Sequence, residues 1–199
     1  MVFETSRFYL WFLQIIALLG LLALCLWLSL RPKEPTHTIS NFSVPPLANA
    51  RTTSPCMNQD QNSTFCYDLA IKNPNKDSTV TYDVIALTFF LGQDNVGVNS
   101  IHAFQQSKDQ TLQLPNHVNT TPKIQKALLR AISNATAELK VALSTRIQYK
   151  TWGIKSKHHN LDLQGVLKIG SDGKLSNKKG KVELARSSKK LKLRSSRWH

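Results

Sequence analysis

Residues Phe8 to Leu30 run 23 positions without one charged side chain, and only Gln14 and Ser29 are clearly polar. Wound as a helix at about 1.5 Å per residue, the run reaches about 35 Å, enough to cross a hydrocarbon layer about 30 Å thick with some tilt. A helix inside a soluble domain is seldom apolar on every side over such a length. Trp11 and Trp27 stand near its two ends, where interfacial aromatics collect. A cleaved secretory signal has a shorter apolar stretch and a small-x-small cleavage site. This run closes on Trp27-Leu28-Ser29-Leu30-Arg31-Pro32 and has no Ala-x-Ala. It reads as a membrane span, residues 8–30, that separates a short stub, residues 1–7, from one large body.

Charges beside the span pull orientation one way and sequons pull it the other. Glu4 and Arg7 precede the span, whereas Arg31 and Lys33 follow it, with Glu34. Counting Lys and Arg alone leans toward a cytosolic body. Four Asn-x-Ser/Thr sequons, at Asn41, Asn62, Asn119 and Asn134, favour a lumenal or extracellular one. Cys25 falls inside the span, which leaves Cys56 and Cys66 as an even pair in the body. In an oxidising compartment that pair could close a short disulfide loop worth about 2–3 kcal/mol. Two free thiols are the equal alternative.

Strand patterns dominate the body. Residues 31–38 are Pro-bearing and charged, a stalk. Thr38 to Val44 alternates and stops at Pro45-Pro46, the pattern of an edge strand. Phe65 to Ile71, Thr79 to Leu91, Val98 to Phe104, Thr111 to Leu114, Leu139 to Tyr149 and Leu161 to Ile169 supply further strands. One helix is expected after Thr121 and Pro122, with Ile124, Ala127, Leu128, Ala131 and Ile132 on one face. Short strands with turn signals between them and a single helix predict a mainly β fold, an antiparallel β-sandwich over residues 39–173 preceded by a single transmembrane helix.

The net charge of +14 is uneven, since the last fifty residues hold fourteen Lys and Arg against Asp162, Asp172 and Glu183. Residues 174–199 form a basic, Ser-rich tail. Lys178, Lys179, Lys181, Lys189, Lys190, Lys192, Arg194 and Arg197 would attract polyanions or anionic surfaces, unless the tail is simply a solvated terminus. It carries no aromatic platform beyond Trp198, so no specific nucleic-acid module is expected.

Catalytic signatures are missing. No Gly-x-Ser-x-Gly, Walker loop, dinucleotide fingerprint or Cys-x-x-Cys occurs, and the six histidines show no metal-binding spacing. The expectation is a protein that is not an enzyme and takes no cofactor.

Several segments together resemble one plant family. They are Leu26-Trp27-Leu28-Ser29-Leu30-Arg31, then Ile39-Ser40-Asn41-Phe42, then Asn73-Pro74-Asn75-Lys76-Asp77 leading to Tyr82-Asp83. Ile147-Gln148-Tyr149-Lys150 with Trp152 and Lys155, and Lys178-Lys179-Gly180, follow in the same order. The set resembles the harpin-induced-like and non-race-specific-disease-resistance proteins, whose outer domain is of the late-embryogenesis-abundant group 2 class. On the residues alone, Asn73, Pro74 and Asn75 read as a structural turn and Trp152 as an aromatic packed on the sheet.

The resemblance implies a fibronectin-type-III-like sandwich and a signal anchor with its N-terminus in the cytosol. It implies an extracellular domain at the plasma membrane, in some members at plasmodesmata, with roles in defence signalling and membrane–wall contact. Partners would be the membrane itself, cell-wall polyanions or defence-signalling proteins. It brings no catalytic residues. The chain departs from some members in its short stub, in Gln164-Gly165 where they carry a Cys, and in lacking their lipid-anchor tail. Two other readings stand beside it: a cytosol-facing module for anionic lipid or nucleic acid, and a stress protein that protects membranes.

Overall fold

The computed structural model describes residues 2–29, 31–44, 65–134, 137–177 and 180–186. The chain folds as two compact units, Met1–Lys33 and Glu34–His199. The first is helix α1, Val2–Ser29. Its segment Phe8–Trp27 is long and apolar enough to cross a membrane, and none of that segment is buried by protein. Helix continues through most of the expected stub, because residues 2–7 hold no Pro or Gly to stop it.

The second unit is antiparallel throughout. Its strands are β1 (Thr36–Ser43), β2 (Phe65–Lys72), β3 (Ser78–Tyr82), β4 (Ile85–Leu91), β5 (Asp94–Ile101), β6 (Phe104–Gln106) and β7 (Thr111–Val118). After helix α2 (Pro122–Ser133) come β8 (Glu138–Thr151), β9 (Ile154–Lys155), β10 (His159–Lys168) and β11 (Lys181–Arg186). Pairing runs β5-β4-β8-β10-β11-β1-β2-β7, with β3 on β8 and β6, and β9 on β8.

Two sheets face each other and share β11. Its first residues pair with β1, Lys181 opposite Ser40 and Leu184 opposite His37. Its last two pair with β10, Ala185 opposite Gln164 and Arg186 opposite Leu163. Gly165 allows this crossing: a Cβ there would sit 2.6 Å from Leu184 Cδ2. Aromatic rings bridge the two layers, with Phe65 of β2 and Phe89 of β4 at 5.0 Å between centroids, and Tyr67 of β2 and Phe89 at 5.1 Å. The outer strands also meet. Asn99 of β5 donates its amide to the Tyr67 hydroxyl at 3.0 Å and to Asn116 Oδ1 of β7 at 3.2 Å. The sandwich is thus nearly closed into a barrel, which leaves little free sheet edge.

Several boundaries differ from the sequence reading. β1 is not an edge strand, because Lys181–Leu184 of the expected tail covers it. The described strands of the body therefore run from Thr36 to Arg186. The tail's register could not be read from composition, since its lysines hide the alternation of half-buried Val182 and buried Leu184. Thr79–Leu91 is two strands, β3 and β4, that step apart at Asp83-Val84 and both lie on the fourteen-residue β8. In α2, Leu128 and Ile132 are the buried residues, while Ala127 faces solvent. Thr121 holds the N-cap position with no side-chain cap bond; its carbonyl accepts from Gln125 N–H at 3.0 Å.

Candidate functional site

Register places the body's features at two opposite ends. The chain enters β1 after Glu34, and Thr36 lies opposite Lys72, the last residue of β2. Asn73 follows at once. Its side-chain amide donates to the Ser78 and Ser107 carbonyls, both at 2.9 Å, and its Oδ1 accepts from Asn75 N–H at 3.1 Å and Asn75 Nδ2 at 2.9 Å. Asn73 N–H donates to the Gln110 carbonyl at 2.9 Å. Asn73-Pro74-Asn75 is therefore a fully hydrogen-bonded clasp between the β2–β3 and β6–β7 connections. It is a structural turn, as its residue types predict.

Tyr82 and Asp83 extend the same scaffold. The Tyr82 hydroxyl donates to Gln106 Oε1 at 3.1 Å, and Gln106 Nε2 donates to the Ile71 and Gln110 carbonyls, each at 2.8 Å. Burial pushes the Tyr82 hydroxyl far above the usual phenol range. Asp83 secures the β3–β4 step: its N–H donates to the Arg146 carbonyl at 2.9 Å, and its Oδ2 meets Arg146 Nε at 3.0 Å.

Sequence reasoning missed His37, which is completely buried on β1. Its Nδ1 lies 3.2 Å from the Pro35 carbonyl, its Nε2 has no protein partner, and its ring meets Tyr82 edge-on at 6.0 Å. Desolvation by burial lowers its pKa to about 4, opposed by the hydrogen bond to Pro35. The ring is a neutral core residue. Its signal was present in the sequence, as the apolar-phase partner of Ile39 on a period-2 strand.

Trp152 overturns its sequence reading. It is 68 % exposed and packs on no sheet, because it occupies the tip of the β8–β9 hairpin. Trp152 (φ 50°) and Gly153 (φ 87°) both take left-handed backbone, which a two-residue type I′ connection requires. Thr151 pairs with Ser78, so this tip lies at the Asn73 end of the body.

The described sequons lie toward the other end. Asn119 follows Val118, the residue opposite Phe65 at the start of β2. Asn134 ends α2, and both side chains are exposed. Asn41 is exposed in the distal half of β1, at a bulge with φ 51°. Its amide donates to Asp68 Oδ2 at 2.7 Å, while the buried Asp68 Oδ1 has no protein partner. Asn62 lies outside the described residues.

Cys66 is buried on β2, opposite His117, and Cys56 lies outside the described residues. Of the basic tail, Lys181 is exposed on β11. Lys178, Lys179, Lys189, Lys190, Lys192, Arg194 and Arg197 are outside the described residues. Among the described residues, no three His, Cys, Asp or Glu side chains lie close enough to hold a metal.

Residues 68–165, from mid-β2 to mid-β10, match the family described as late embryogenesis abundant protein. Protein NDR1 of Arabidopsis thaliana is 29% identical over 187 residues, which cover 89% of this chain and 81% of that protein. These two matches support the harpin-induced-like, late-embryogenesis-abundant group 2 family. An uncharacterized protein of Arabidopsis thaliana is 31% identical over 150 residues, 72% of this chain and 65% of that one. A solution structure from the same plant covers 70% of this chain and 85% of its own, with 13% identity and a TM-score of 0.40. The group 2 match takes in the Asn73 clasp, Tyr82, Asp83 and the Trp152 hairpin together.

Proposed function

We propose that the chain is a non-enzymatic plant defence protein, held in the plasma membrane by residues 8–30 and carrying its β-body outside the cell. Similarity to Protein NDR1 along most of both chains supports the defence role. The extracellular placement is carried by one observation: Asn41, Asn119 and Asn134 are all solvent-exposed, and all lie toward the end away from Glu34. Glycans there would stand clear of the chain's passage into the membrane. The disulfide form of Cys66, with Cys25 free, supports an oxidising compartment and a Cys56–Cys66 bridge. In this reading residues 1–7 face the cytosol, and the basic stretch after Arg186 reaches wall polyanions by screened Coulomb attraction.

Glycosidase treatment of microsomal protein tests the orientation. A mobility shift, with the body resistant to protease in sealed vesicles, is the expected result. An unshifted, protease-accessible body puts it in the cytosol, where Arg31 and Lys33 would satisfy the positive-inside rule.

A further inference from the structure

The β8–β9 hairpin tip is apolar, strained and exposed at once. Trp152 is 68 % exposed and Ile154 is 77 % exposed. Left-handed backbone is unfavourable for a bulky residue, and Asn or Asp is the ordinary occupant of this turn position. Trp152 holds it with φ 50° and gains no burial in return. Directly behind the tip, Lys150 and Lys155 are cross-strand partners, an arrangement of like charges that disfavours the hairpin. Neither lysine enters the ion pairs Arg146–Asp83, Lys168–Glu138 or Arg186–Glu34. Two ammonium groups behind an exposed indole suit a surface that is anionic outside and apolar just beneath.

The tip's place in the fold says which surface. Trp152 follows Thr151, which pairs with Ser78; the Ser78 carbonyl binds Asn73, the neighbour of Lys72, which faces Thr36. The nearby Tyr149 ring feels the charges of Glu34 and Arg186. The tip is therefore at the Glu34 end of the body. Glu34 is five residues beyond Ser29, the last residue of α1, so extended chain spans at most about 18 Å between them. Any bilayer that holds α1 lies within reach of that end.

We propose that the Trp152–Ile154 turn seats in the headgroup layer of the phospholipid bilayer that holds α1, with Lys150 and Lys155 binding lipid phosphates. Trp favours this layer because its ring is apolar and its N–H is polar. Two aliphatic-to-aromatic anchors and a phosphate clamp would restrain the body against tumbling about its short connection. The inference rests on α1 being a span and holds for either orientation, since both leaflets present phosphates. An exposed Ile154 beside the indole favours lipid over a wall polysaccharide, which offers no apolar layer.

The test uses the full chain with Trp11, Trp27 and Trp198 changed to Phe, leaving Trp152 as the reporter. The protein is reconstituted into phosphatidylcholine–phosphatidylglycerol vesicles, and carbonate flotation is measured first. Emission from Trp152 should move to shorter wavelength and be quenched by bromine placed shallow on the acyl chain. Lys150→Glu with Lys155→Glu should abolish both effects and leave flotation intact. Protein that floats with a water-exposed, unquenched Trp152 overturns the proposal alone. A Trp152 that is silent to bromolipid but shifts on adding polygalacturonate overturns it in favour of a wall ligand. Protein that fails to float overturns the span and the lipid-seated tip with it.

Discussion

The side-chain amide of Asn73 donates to the carbonyl of Ser107, 34 residues further along the chain, at 2.9 Å. The same nitrogen holds the Ser78 carbonyl, and the same side chain's oxygen holds Asn75. One fully buried amide thus ties together three backbone groups, those of the buried Ser78 and Asn75 and that of Ser107 at the surface. Asn73→Ala would remove these bonds, at about 1–3 kcal/mol for each buried group that finds no substitute, while water can take over at Ser107. We expect a loss of about 2 kcal/mol in denaturant unfolding. Asn73→Asp should be nearly as damaging, because it keeps the acceptor but removes both donors.

His37 makes stability fall on acidification. In the unfolded chain its pKa is near the ordinary value of 6.5, and in the fold burial holds it at about 4. The unfolded state therefore binds the extra proton, and folding stability declines as pH drops from 6.5 toward 4. The full contribution is about 3 kcal/mol, with a slope near 1.4 kcal/mol per pH unit inside that window. His37→Phe should flatten this part of the stability–pH curve, which thermal unfolding at several pH values would measure. A curve for His37→Phe as steep as the parent's would assign the acid sensitivity to another group.

At the closure between β5 and β7, Gly97 is required for space and not for backbone freedom. A Cβ there would sit 2.4 Å from Val118 Cγ1. Gly97→Val should cost about 2 kcal/mol or more through overpacking. Val118→Ala in the same chain should recover part of that loss, so the double variant is better than additive. Gly92 makes the contrast: nothing lies within 4 Å of its Cβ position, but its φ is +65°. Gly92→Ala should cost about 1 kcal/mol from backbone strain, and Val118→Ala should not change that.

The period-2 pattern made much of this fold legible. Buried Leu139, Val141, Leu143, Ile147 and Tyr149 alternate along β8 as the sequence suggests. Pro122 marked the start of α2, and Asn73-Pro74-Asn75 announced its turn. What stayed hidden depends on tertiary pairing. Nothing local says that Lys181–Leu184 covers β1, because an exposed face of lysines looks the same on a strand and on an open terminus. Trp152 was misread for a related reason: aromatics usually pay for their size by burial, and only the positive φ of the hairpin reveals one turned outward. His37 carries the opposite lesson, since a titratable residue was absorbed by the core.

Glycan occupancy should follow local geometry. Asn119 and Asn134 are exposed where strand or helix ends, so their side chains can enter an enzyme's cleft. Asn41 sits inside β1, with φ 51° and its amide nitrogen bonded to Asp68 Oδ2 at 2.7 Å. Glycosylation acts on that same nitrogen, so modification must either precede folding of the bulge or break a charge-assisted bond to a buried carboxylate. We expect Asn119 and Asn134 to be occupied more fully than Asn41, as read by mass spectrometry of peptides from protein made in a secretory host. Asp68→Asn should raise Asn41 occupancy, because it replaces a charged acceptor with a neutral one. Equal occupancy at all three sites, unchanged by Asp68→Asn, would show that the Asn41–Asp68 bond forms too late to compete with the transferase.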